Sequence, residues 1–348
     1  MVESFRDRRV LVVGGAGFVG SNLCHELLTH GPAEVLVIDN LLSAERNNLP
    51  EADAVTFIEG SITDDRLLER IPDEIDYAFH LATYHGNQSS IHDPLADHEH
   101  NTFTSLKLFH RLQALPTLRK VVYASAGCTV AAKTSDAPNA TAEDEVVSLY
   151  LDSPYQISKV IGELYGNYFF MHSGLPVVKA RFQNVYGPRE ILGAGRWRGT
   201  PATIWRNVVP TFIYKALHGE ALPIHGDGSA TRDFIHVDDI VQGLLVCAAR
   251  GEPGGVYNLA SGIETSISDL ARTINRLTDN QTDLQLDRAR EWDRSHRRYG
   301  ATEKSATQLG FRADIGLEDG IAGTVEWTRS NLDRIKHTMA RHAAHLAS

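Results

Sequence analysis

The stretch "RVLVVGGAGFVGSN", residues 9–22, decides the fold. It begins with a short run rich in β-branched residues, which is typical of a buried parallel strand. Gly14, Gly17 and Gly20 follow as a turn that opens into an amphipathic helix. Glycine permits the tight turn and lets the backbone approach a pyrophosphate, which rests at the helix N-terminus. The stretch therefore predicts the first strand–turn–helix unit of a dinucleotide-binding fold.

A carboxylate supports the same interpretation. The apolar run "EVLVIDN", residues 34–40, contains Asp39 at the spacing expected for a group that binds the adenosine ribose. Its neighbours Asn40, Leu41 and Leu42 offer no cation for a 2′-phosphate. The sequence therefore favours NAD over NADP as the cofactor. The alternative is a turn without function. The agreement of the strand, the glycines, the helix and the acid argues against it.

The rest of the first half alternates between strands and helices. Strands are predicted at 55–60, 77–83, 120–125 and 176–182, with helices at 101–114 and 155–173 between them, and a later strand at 255–260. This alternation predicts an α/β fold with a doubly wound parallel sheet. We expect a dinucleotide-binding domain of residues 1–183 plus about 232–262. We expect a smaller, discontinuous substrate lobe of about 184–231 plus 263–335, a tail at 336–348, and a ligand cleft between the lobes.

Composition excludes several classes of function. The chain has 348 residues, 42% of them hydrophobic, and a net charge of −10, which argues against a nucleic-acid partner. No apolar run is long enough to span a membrane. Cys24, Cys128 and Cys247 lack a paired spacing, and no secretory signal precedes the first strand, so we expect a cytoplasmic protein. The histidines lack the spacing of metal ligands, so no metal site is predicted.

Tyr155-x-x-x-Lys159 is the second chemical signal. The two side chains should lie on one face of a helix, one turn apart. A tyrosine is a poor base at neutral pH, but a neighbouring ammonium and the positive nicotinamide ring would lower its pKa. The phenolate could then take a proton from a sugar hydroxyl while hydride passes to NAD+. The alternative is a surface pair on an amphipathic helix.

These motifs together resemble a known family. "GGAGFVG", "DN", "HLA", "SPYQISK", "NVYGP" and "ATRDFIHVDDI" occur in the order seen in extended short-chain dehydrogenases/reductases. Within that group the chain is similar to the NAD-dependent sugar-nucleotide epimerases and dehydratases, from about residue 8 to about residue 330. The resemblance implies a Rossmann domain that holds NAD and a small lobe that binds a nucleoside diphosphate sugar. It also implies oxidation of the sugar at C4 to a 4-keto intermediate.

The resemblance assigns residues to both ligands. For the cofactor it implies Gly14, Gly17, Phe18, Val19, Gly20, Asp39, Asn40, Ser61, Ile62, Leu81, Ala82, Thr83, Asn101, Tyr155 and Lys159. For the sugar nucleotide it implies Tyr84, His85, Asn87, Gln88, Asn184, Asn207, Val208, Arg232, Arg290 and Asp293. Among these, Asn207 begins the helix whose N-terminus receives the diphosphate, and Arg232 binds the diphosphate with its planar fork.

Two positions depart from the family pattern. Ser61 stands where the family usually has an aspartate near the adenine amine. Gly127 stands where a serine or threonine normally bridges the sugar 4-hydroxyl and the tyrosine. We expect Ser125 or Thr129 to supply the missing hydroxyl; Thr83, Tyr84 and a bound water are the other candidates. The loss could instead make room for a bulkier sugar.

The same stretch bears on the reaction. Dehydratases and decarboxylases of the family carry acids where this chain has Cys128 and Thr129, neither of which does the work of a carboxylate at neutral pH. By elimination, the sequence favours a 4-epimerase. A 4,6-dehydratase, a UDP-glucuronate-type decarboxylase and a non-catalytic NAD-binding scaffold remain as alternatives.

The loop at 193–206 carries Arg196, Arg198 and Arg206 with Trp197 and Trp205. A guanidinium fork suits a carboxylate or phosphate, so the loop could recognise an anionic or extended sugar, or gate the cleft. Ordinary ion pairs in a solvated loop are the alternative.

The family resemblance also implies an oligomeric state. Its members commonly dimerise through a four-helix bundle, which would include the helix that carries Tyr155. We therefore expect a homodimer.

Overall fold

The computed structural model describes residues 5–127, 139–291, 293 and 296–346. Its strands are Arg9–Val13 (β1), Glu34–Asp39 (β2), Val55–Glu59 (β3), Tyr77–His80 (β4), Lys120–Ala126 (β5), Val177–Phe182 (β6), Asn184–Tyr186 (β7), Pro223–His225 (β8), Thr231–His236 (β9), Val256–Leu259 (β10), Glu264–Ser266 (β11), Gln285–Asp287 (β12) and Arg297–Arg298 (β13). Its α-helices are Phe18–Thr29 (α1), Asp65–Leu68 (α2), Asn87–His92 (α3), Pro94–Asp97 (α4), Thr104–Leu112 (α5), Pro154–Ser173 (α6), Val208–Leu217 (α7), Val237–Arg250 (α8), Ile267–Thr278 (α9), Leu317–Ser330 (α10), Leu332–Ala340 (α11) and Ala343–Leu346 (α12). Single turns of 3-10 helix occur at Arg46–Asn48 and Pro201–Thr203, and π-helical turns at His98–Phe103 and Ser305–Leu309.

A seven-stranded parallel sheet forms the centre of the molecule, in the order β10-β6-β5-β4-β1-β2-β3. The strand order reverses beside β1, which is the position where ligands bind in open α/β sheets. The predicted α/β class with a doubly wound Rossmann sheet is confirmed.

The sheet is covered on both faces, and β1 shows why its sequence is a continuous apolar run. Val10 and Val12 belong to one core with residues of α1 and α8. Leu11 and Val13 face the other core, with residues of α5 and α6. Because both faces are buried, both alternating sets of side chains must be apolar.

A serine and a proline set the start of helix α6. The Ser153 side chain accepts a hydrogen bond from the Gln156 amide, and Pro154 occupies the first turn. Gly174 ends the helix in the left-handed region, with φ of 71°. A serine cap and a proline in the first turn fix the register of a helix start, so Tyr155 is held at the end nearest the cleft.

A smaller lobe stands beyond the carboxyl edge of the sheet. Strands β7, β9, β11 and β13 form a second sheet, and β8 pairs with β12. Helices α7, α9 and α10 enclose a core of their own, which contains Phe212, Ile274 and Ile321. Strand β9 belongs to the small sheet, whereas α8, which follows it, packs on the large one. The division of the chain into two lobes at the residues given above stays a prediction.

The C-terminal helices support a loop of the small lobe. Ile335 packs with Ile191 and Leu192. The Thr338 hydroxyl donates to the Leu192 carbonyl at 2.8 Å, and the His342 ring lies 2.9 Å from the Gly193 carbonyl oxygen. Residues 332–342 are thus packed against the start of the arginine-rich loop. Within the described part of the chain, every helix is too short or too polar to cross a bilayer.

Candidate active site

A cleft of about 1090 Å³ lies between the sheet and the smaller lobe. Most of the predicted site residues line it: Gly14, Gly17, Phe18, Val19, Gly20, Asp39, Asn40, Ser61, Ile62, Leu81, Ala82, Thr83, His85, Asn87, Gln88, Ser125, Tyr155, Lys159, Asn184, Asn207, Val208, Arg232, Arg290 and Asp293. Its volume exceeds that of an ordinary single-ligand pocket. The cleft is therefore large enough for two ligands.

Two of the predicted residues that the structure describes are not part of this lining. Asn101 and Tyr84 are buried behind the wall, where the Asn101 Oδ1 accepts the Tyr84 amide at 2.7 Å. Asn101 therefore orders the segment that follows β4 instead of facing the cleft. Thr129 lies outside the described residues.

The glycine turn shapes the cofactor half of the cleft. Gly14 has φ of +85°, and a Cβ there would lie 2.4 Å from the backbone nitrogen of Ala82. Gly17 caps α1, and no side chain occupies that cap. The amide N–H groups of the first turn are thus left for an anion, which the helix dipole also favours. The turn fits a dinucleotide pyrophosphate.

Asp39 is 8% exposed and held by the backbone. Its Oδ2 accepts the Ala16 amide at 3.0 Å, and its Oδ1 accepts the Leu41 amide at 2.9 Å. Burial raises the pKa of Asp39, and these hydrogen bonds oppose the rise. The fixed carboxylate fits the ribose of the dinucleotide.

Sequence reasoning missed one cation at this end. The Arg196 guanidinium reaches across from the arginine-rich loop and donates to the Asn40 carbonyl at 2.6 Å. The two residues are 156 positions apart, so inspection of the residues next to Asp39 could not reveal the contact.

Tyr155 and Lys159 lie side by side in the interior. Lys159 is 4% exposed; its Nζ donates to the Ala124 carbonyl at 2.8 Å and lies 5.7 Å from the centroid of the Tyr155 ring. Burial lowers the pKa of Lys159 to about 8. Burial, together with the charge of Asp97, raises the pKa of Tyr155 to about 12. In the protein alone, burial therefore outweighs the lowering that the neighbouring ammonium was expected to provide.

The hydroxyl beside Tyr155 belongs to Thr83. A hydrogen bond with Thr83 opposes the rise in the pKa of Tyr155. The Thr83 hydroxyl donates to Asn101 Oδ1 at 3.0 Å, and Asn101 Nδ2 donates to Asp97 Oδ1 at 2.7 Å. This chain orients the Thr83 oxygen toward the tyrosine. Among the hydroxyls considered from the sequence, Thr83 is the one for which the structure gives such a contact.

Ser125 is engaged elsewhere. Its hydroxyl donates to Glu163 Oε1 at 2.5 Å, and Glu163 also pairs with Arg181 at 2.8 Å. All three side chains are buried. Although Ser125 lines the cleft, its proton is committed to an ion pair beneath the sheet.

Gln183 occupies the space that Gly127 leaves open. A Cβ at position 127 would lie 2.0 Å from the Gln183 Nε2. Gln183 lines the cleft and follows β6, the neighbour of the strand that ends at residue 126. The Gln183 amide thus fills the space of the side chain that Gly127 lacks. The glycine therefore does not enlarge the cleft by the volume of that side chain.

The sugar half contains a second chain of polar side chains. The His85 ring lies 6.2 Å from the Tyr155 ring and 3.3 Å, by its Nε2, from Asn207 Oδ1. Asn207 Nδ2 donates to Glu190 Oε1 at 2.5 Å. Burial lowers the pKa of His85 to about 4 and raises the pKa of Glu190 to about 7. His85 is therefore a neutral imidazole at physiological pH.

The arginine expected at the diphosphate is already oriented. Arg232 is 8% exposed, and its Nη2 donates to Asp293 Oδ2 at 2.7 Å. Arg298 contacts the other oxygen of Asp293 at 3.4 Å. Asp293 thus orients two guanidinium groups in the wall of the cleft. In the described ranges, no group of three or more His, Cys, Asp or Glu side chains is arranged to hold a metal ion.

The comparisons with known proteins agree with this geometry. Residues 10–260 match the NAD dependent epimerase/dehydratase family. This chain belongs to that family. It is an NAD-dependent enzyme by family, and the glycine turn and Asp39 are the features of this structure that fit the cofactor.

Three relatives illustrate which members of the family this chain is similar to. A crystal structure of the Bordetella bronchiseptica enzyme WbmF with NAD+ and UDP shares 57% identity, covers 99% of both chains and has a TM-score of 0.90. The UDP-glucose 4-epimerase of Mycolicibacterium smegmatis is 32% identical over 92% of this chain and 99% of its own length. The dTDP-glucose 4,6-dehydratase of Streptomyces antibioticus is 30% identical over 92% of each. Both reaction types therefore occur among relatives of similar distance.

Proposed function

We propose that this protein is an NAD-dependent 4-epimerase of a nucleoside diphosphate sugar, with UDP as the nucleotide. The observation that carries the proposal is the half-buried pair of Tyr155 and Thr83 in the wall of the cleft, with the buried Lys159 5.7 Å from the Tyr155 ring. The WbmF complex with UDP and the 4-epimerase relatives support the choice of substrate and reaction.

The chain's residues divide the work between binding and proton transfer. Gly14, Gly17 and Asp39 would hold NAD, which supplies hydride exchange with C4 of the sugar when bound. Tyr155 takes the proton of the 4-hydroxyl and later returns it. Thr83, whose proton goes to Asn101 Oδ1, offers an acceptor oxygen to the Tyr155 hydroxyl, and Lys159 stabilises the charge of the phenolate.

Epimerisation needs one further property of the sugar half. The 4-keto sugar must turn over so that the opposite face of C4 meets the cofactor. Arg232 and Asp293 hold the diphosphate end, so the sugar ring alone would rotate. The neutral His85 ring beside Tyr155 offers an edge that does not repel either face.

A panel of sugar nucleotides tests the reaction. The purified protein is incubated with UDP-, dTDP-, GDP- and CDP-linked hexoses and with UDP-glucuronate, and the products are analysed by mass spectrometry and NMR. We expect a product of unchanged mass with inverted configuration at C4. Loss of water would support the 4,6-dehydratase and loss of carbon dioxide the decarboxylase. No conversion of any compound would favour the non-catalytic scaffold.

We also propose that the protein forms a homodimer through α6. Ile157, Leu164, Tyr168 and Met171 repeat along one face of this helix and are 46%, 60%, 49% and 77% exposed. An apolar stripe of this kind commonly marks a protein interface. Light scattering should give twice the mass of one chain, and a monomer at micromolar concentration would contradict the proposal.

A further inference from the structure

The sugar half of the cleft contains two arginines that form no ion pair among the described residues, although the charges of Glu190 and Glu45 act on Arg206. Arg206 lines the cleft, and Arg198 lies behind it and is 5% exposed. The Nε of Arg206 and the Nε and Nη2 of Arg198 are shielded from solvent and have no hydrogen-bond partner among the described residues. Leaving buried guanidinium protons unpaired costs free energy. These donors are therefore poised for a group that the protein does not supply.

The hydrogen bonds that these arginines do make go to neutral groups. Arg206 Nη2 donates to the Ala194 carbonyl, and Arg198 Nη1 donates to the Ser43 hydroxyl. In the described ranges neither guanidinium has a carboxylate within ion-pair distance. Burial and the charge of Arg198 lower the pKa of Arg206 to about 9. Two positive charges close together in a desolvated wall favour an anionic ligand.

The position of these arginines points to the sugar. Both are near enough to His85 to lower its pKa, and the His85 ring lies 6.2 Å from the Tyr155 ring. The proposed function already assigns the diphosphate to Arg232, which Asp293 orients. The charge of Arg206 and Arg198 is thus directed at the half of the cleft where Tyr155 acts.

Glu190 offsets this charge only in part near neutral pH. It is 5% exposed, lines the cleft, and its Oε2 has no hydrogen-bond partner in the described part of the chain. Burial raises the pKa of Glu190 to about 7, so the carboxyl is only partly ionised near pH 7. A protonated carboxyl donates a hydrogen bond and does not repel an anion.

We propose that the substrate is a nucleoside diphosphate hexuronate, whose sugar carboxylate is bound by Arg206 with Arg198 behind it. The inference rests on the proposed function for the nucleotide and the reaction. It goes further by naming a negatively charged sugar as the preferred class over a neutral hexose.

A matched pair of ligands tests the inference directly. UDP-glucuronate and UDP-glucose differ only in the group on C5, so both present the same diphosphate. Their binding to the NAD-loaded protein is measured by calorimetry. We expect UDP-glucuronate to bind about tenfold more tightly or better, because a desolvated guanidinium–carboxylate pair is worth more than a hydroxyl contact. Equal affinities in the unaltered protein would overturn the inference.

Substitutions of Arg206 distinguish binding of the sugar carboxylate from binding of the diphosphate. Arg206→Met should weaken UDP-glucuronate about tenfold while changing UDP-glucose less than about threefold. Arg206→Lys should keep part of the preference, because the charge stays but the fork is lost. If Arg206→Met weakened both ligands equally, the arginine would serve the diphosphate and the inference would be wrong. Arg272→Met, an exposed arginine on α9, is the control and should leave both affinities unchanged.

Product analysis keeps this inference distinct from the proposed function. Preferential binding of UDP-glucuronate without inversion at C4 would overturn the 4-epimerase and leave the uronate preference intact. Efficient 4-epimerisation of UDP-glucose, with no preference for UDP-glucuronate, would do the reverse. NAD content and the unfolding midpoint of each variant show whether it is folded, and the comparison in the unaltered protein decides the matter if a variant is not.

Discussion

The two halves of the cleft are built in different ways. The cofactor half consists mainly of backbone: a glycine turn, the N-terminus of α1, and a carboxylate held by two amides. The sugar half consists of ionisable side chains from distant parts of the chain, among them the buried Glu190 and the half-buried His85 and Arg206. We therefore expect cofactor binding to depend on local backbone geometry. We expect sugar chemistry and specificity to depend on charged side chains that only the folded chain brings together.

The largest contrast between the halves should come from Tyr155→Phe. Removing the phenolic oxygen should lower kcat by about a thousandfold, because proton transfer to the sugar hydroxyl is lost. Binding of UDP-sugar should change less than about tenfold, since the ring stays in place. Steady-state kinetics and calorimetry measure the two effects. A variant that retained most of its activity would show that another group is the base.

On the cofactor side, Gly14→Ala should act through the backbone. Residue 14 has φ of +85°, and the added Cβ would lie 2.4 Å from the nitrogen of Ala82. Strain and overlap together should cost about 4 kcal/mol in the free energy of unfolding. Urea unfolding and the NAD content of the purified protein measure the loss. Gly31→Ala, which has φ of +66° with nothing within 4 Å of the added Cβ, separates the backbone strain from the overlap.

The electrostatic character of the sugar half should appear as a pH effect on stability. Burial raises the pKa of Glu190 from 4.5 to about 7, so the native state binds this proton more tightly than the unfolded state does. Its stabilising contribution is complete below pH 4.5 and is lost as the pH rises to about 7. The free energy of unfolding of Glu190→Gln relative to the unaltered protein should therefore rise by up to about 3 kcal/mol between pH 4.5 and pH 8.

Urea unfolding at several pH values gives that difference. Glu69→Gln is the matched control, because Glu69 is exposed and its side chain has no hydrogen bond among the described residues. A difference that stayed constant with pH would show that folding leaves the pKa of Glu190 unshifted.

The two candidate hydroxyls provide a finer comparison. Thr83→Val removes the hydrogen bond to Tyr155 and should lower kcat by about 10- to 100-fold. Ser125→Ala removes a hydrogen bond to Glu163 and should lower stability by about 1–2 kcal/mol, with a smaller effect on kcat than Thr83→Val. A larger kinetic effect at Ser125 would restore the expectation formed from the sequence.

The smallest effect should come from restoring a hydroxyl at position 127. Gly127→Ser places a Cβ 2.0 Å from Gln183 Nε2, the end of a flexible side chain that can move. We expect a loss of about 1 kcal/mol in stability. Combining it with Gln183→Ala should recover that loss, so the double-mutant cycle would show coupling. Simple additivity would mean that the two positions do not compete for space.

The sequence predicted the cofactor half well because its information is local. Strand β1, the glycine turn and Asp39 follow one another closely, and the predicted strands at 9–13, 55–60 and 120–125 differ from the observed ones by at most one residue. The helix that carries Tyr155, predicted at 155–173, spans Pro154–Ser173 in the structure. NAD as cofactor and membership of the epimerase/dehydratase family are confirmed.

The sugar half could not be predicted in the same way, because its contacts join distant positions. Glu190 meets Asn207 and then His85, and Arg196 meets Asn40 across 156 positions. Ser125 and Thr129 were favoured as replacements for the hydroxyl missing at Gly127 because they are close to it in the sequence. Thr83 reaches Tyr155 from the end of a different strand, β4, and only the sheet order brings them together.

The attachment of the C-terminal segment has a practical consequence. Thr338 and His342 are fastened to the backbone at Leu192 and Gly193, and Arg341 pairs with Glu45 beside the cofactor strand. A truncation at about residue 335, chosen to remove a tail remote from the chemistry, would free the very segment that carries Arg198 and Arg206. Shortened versions of the enzyme should thus be judged by which sugars they accept before they are judged by how well they fold.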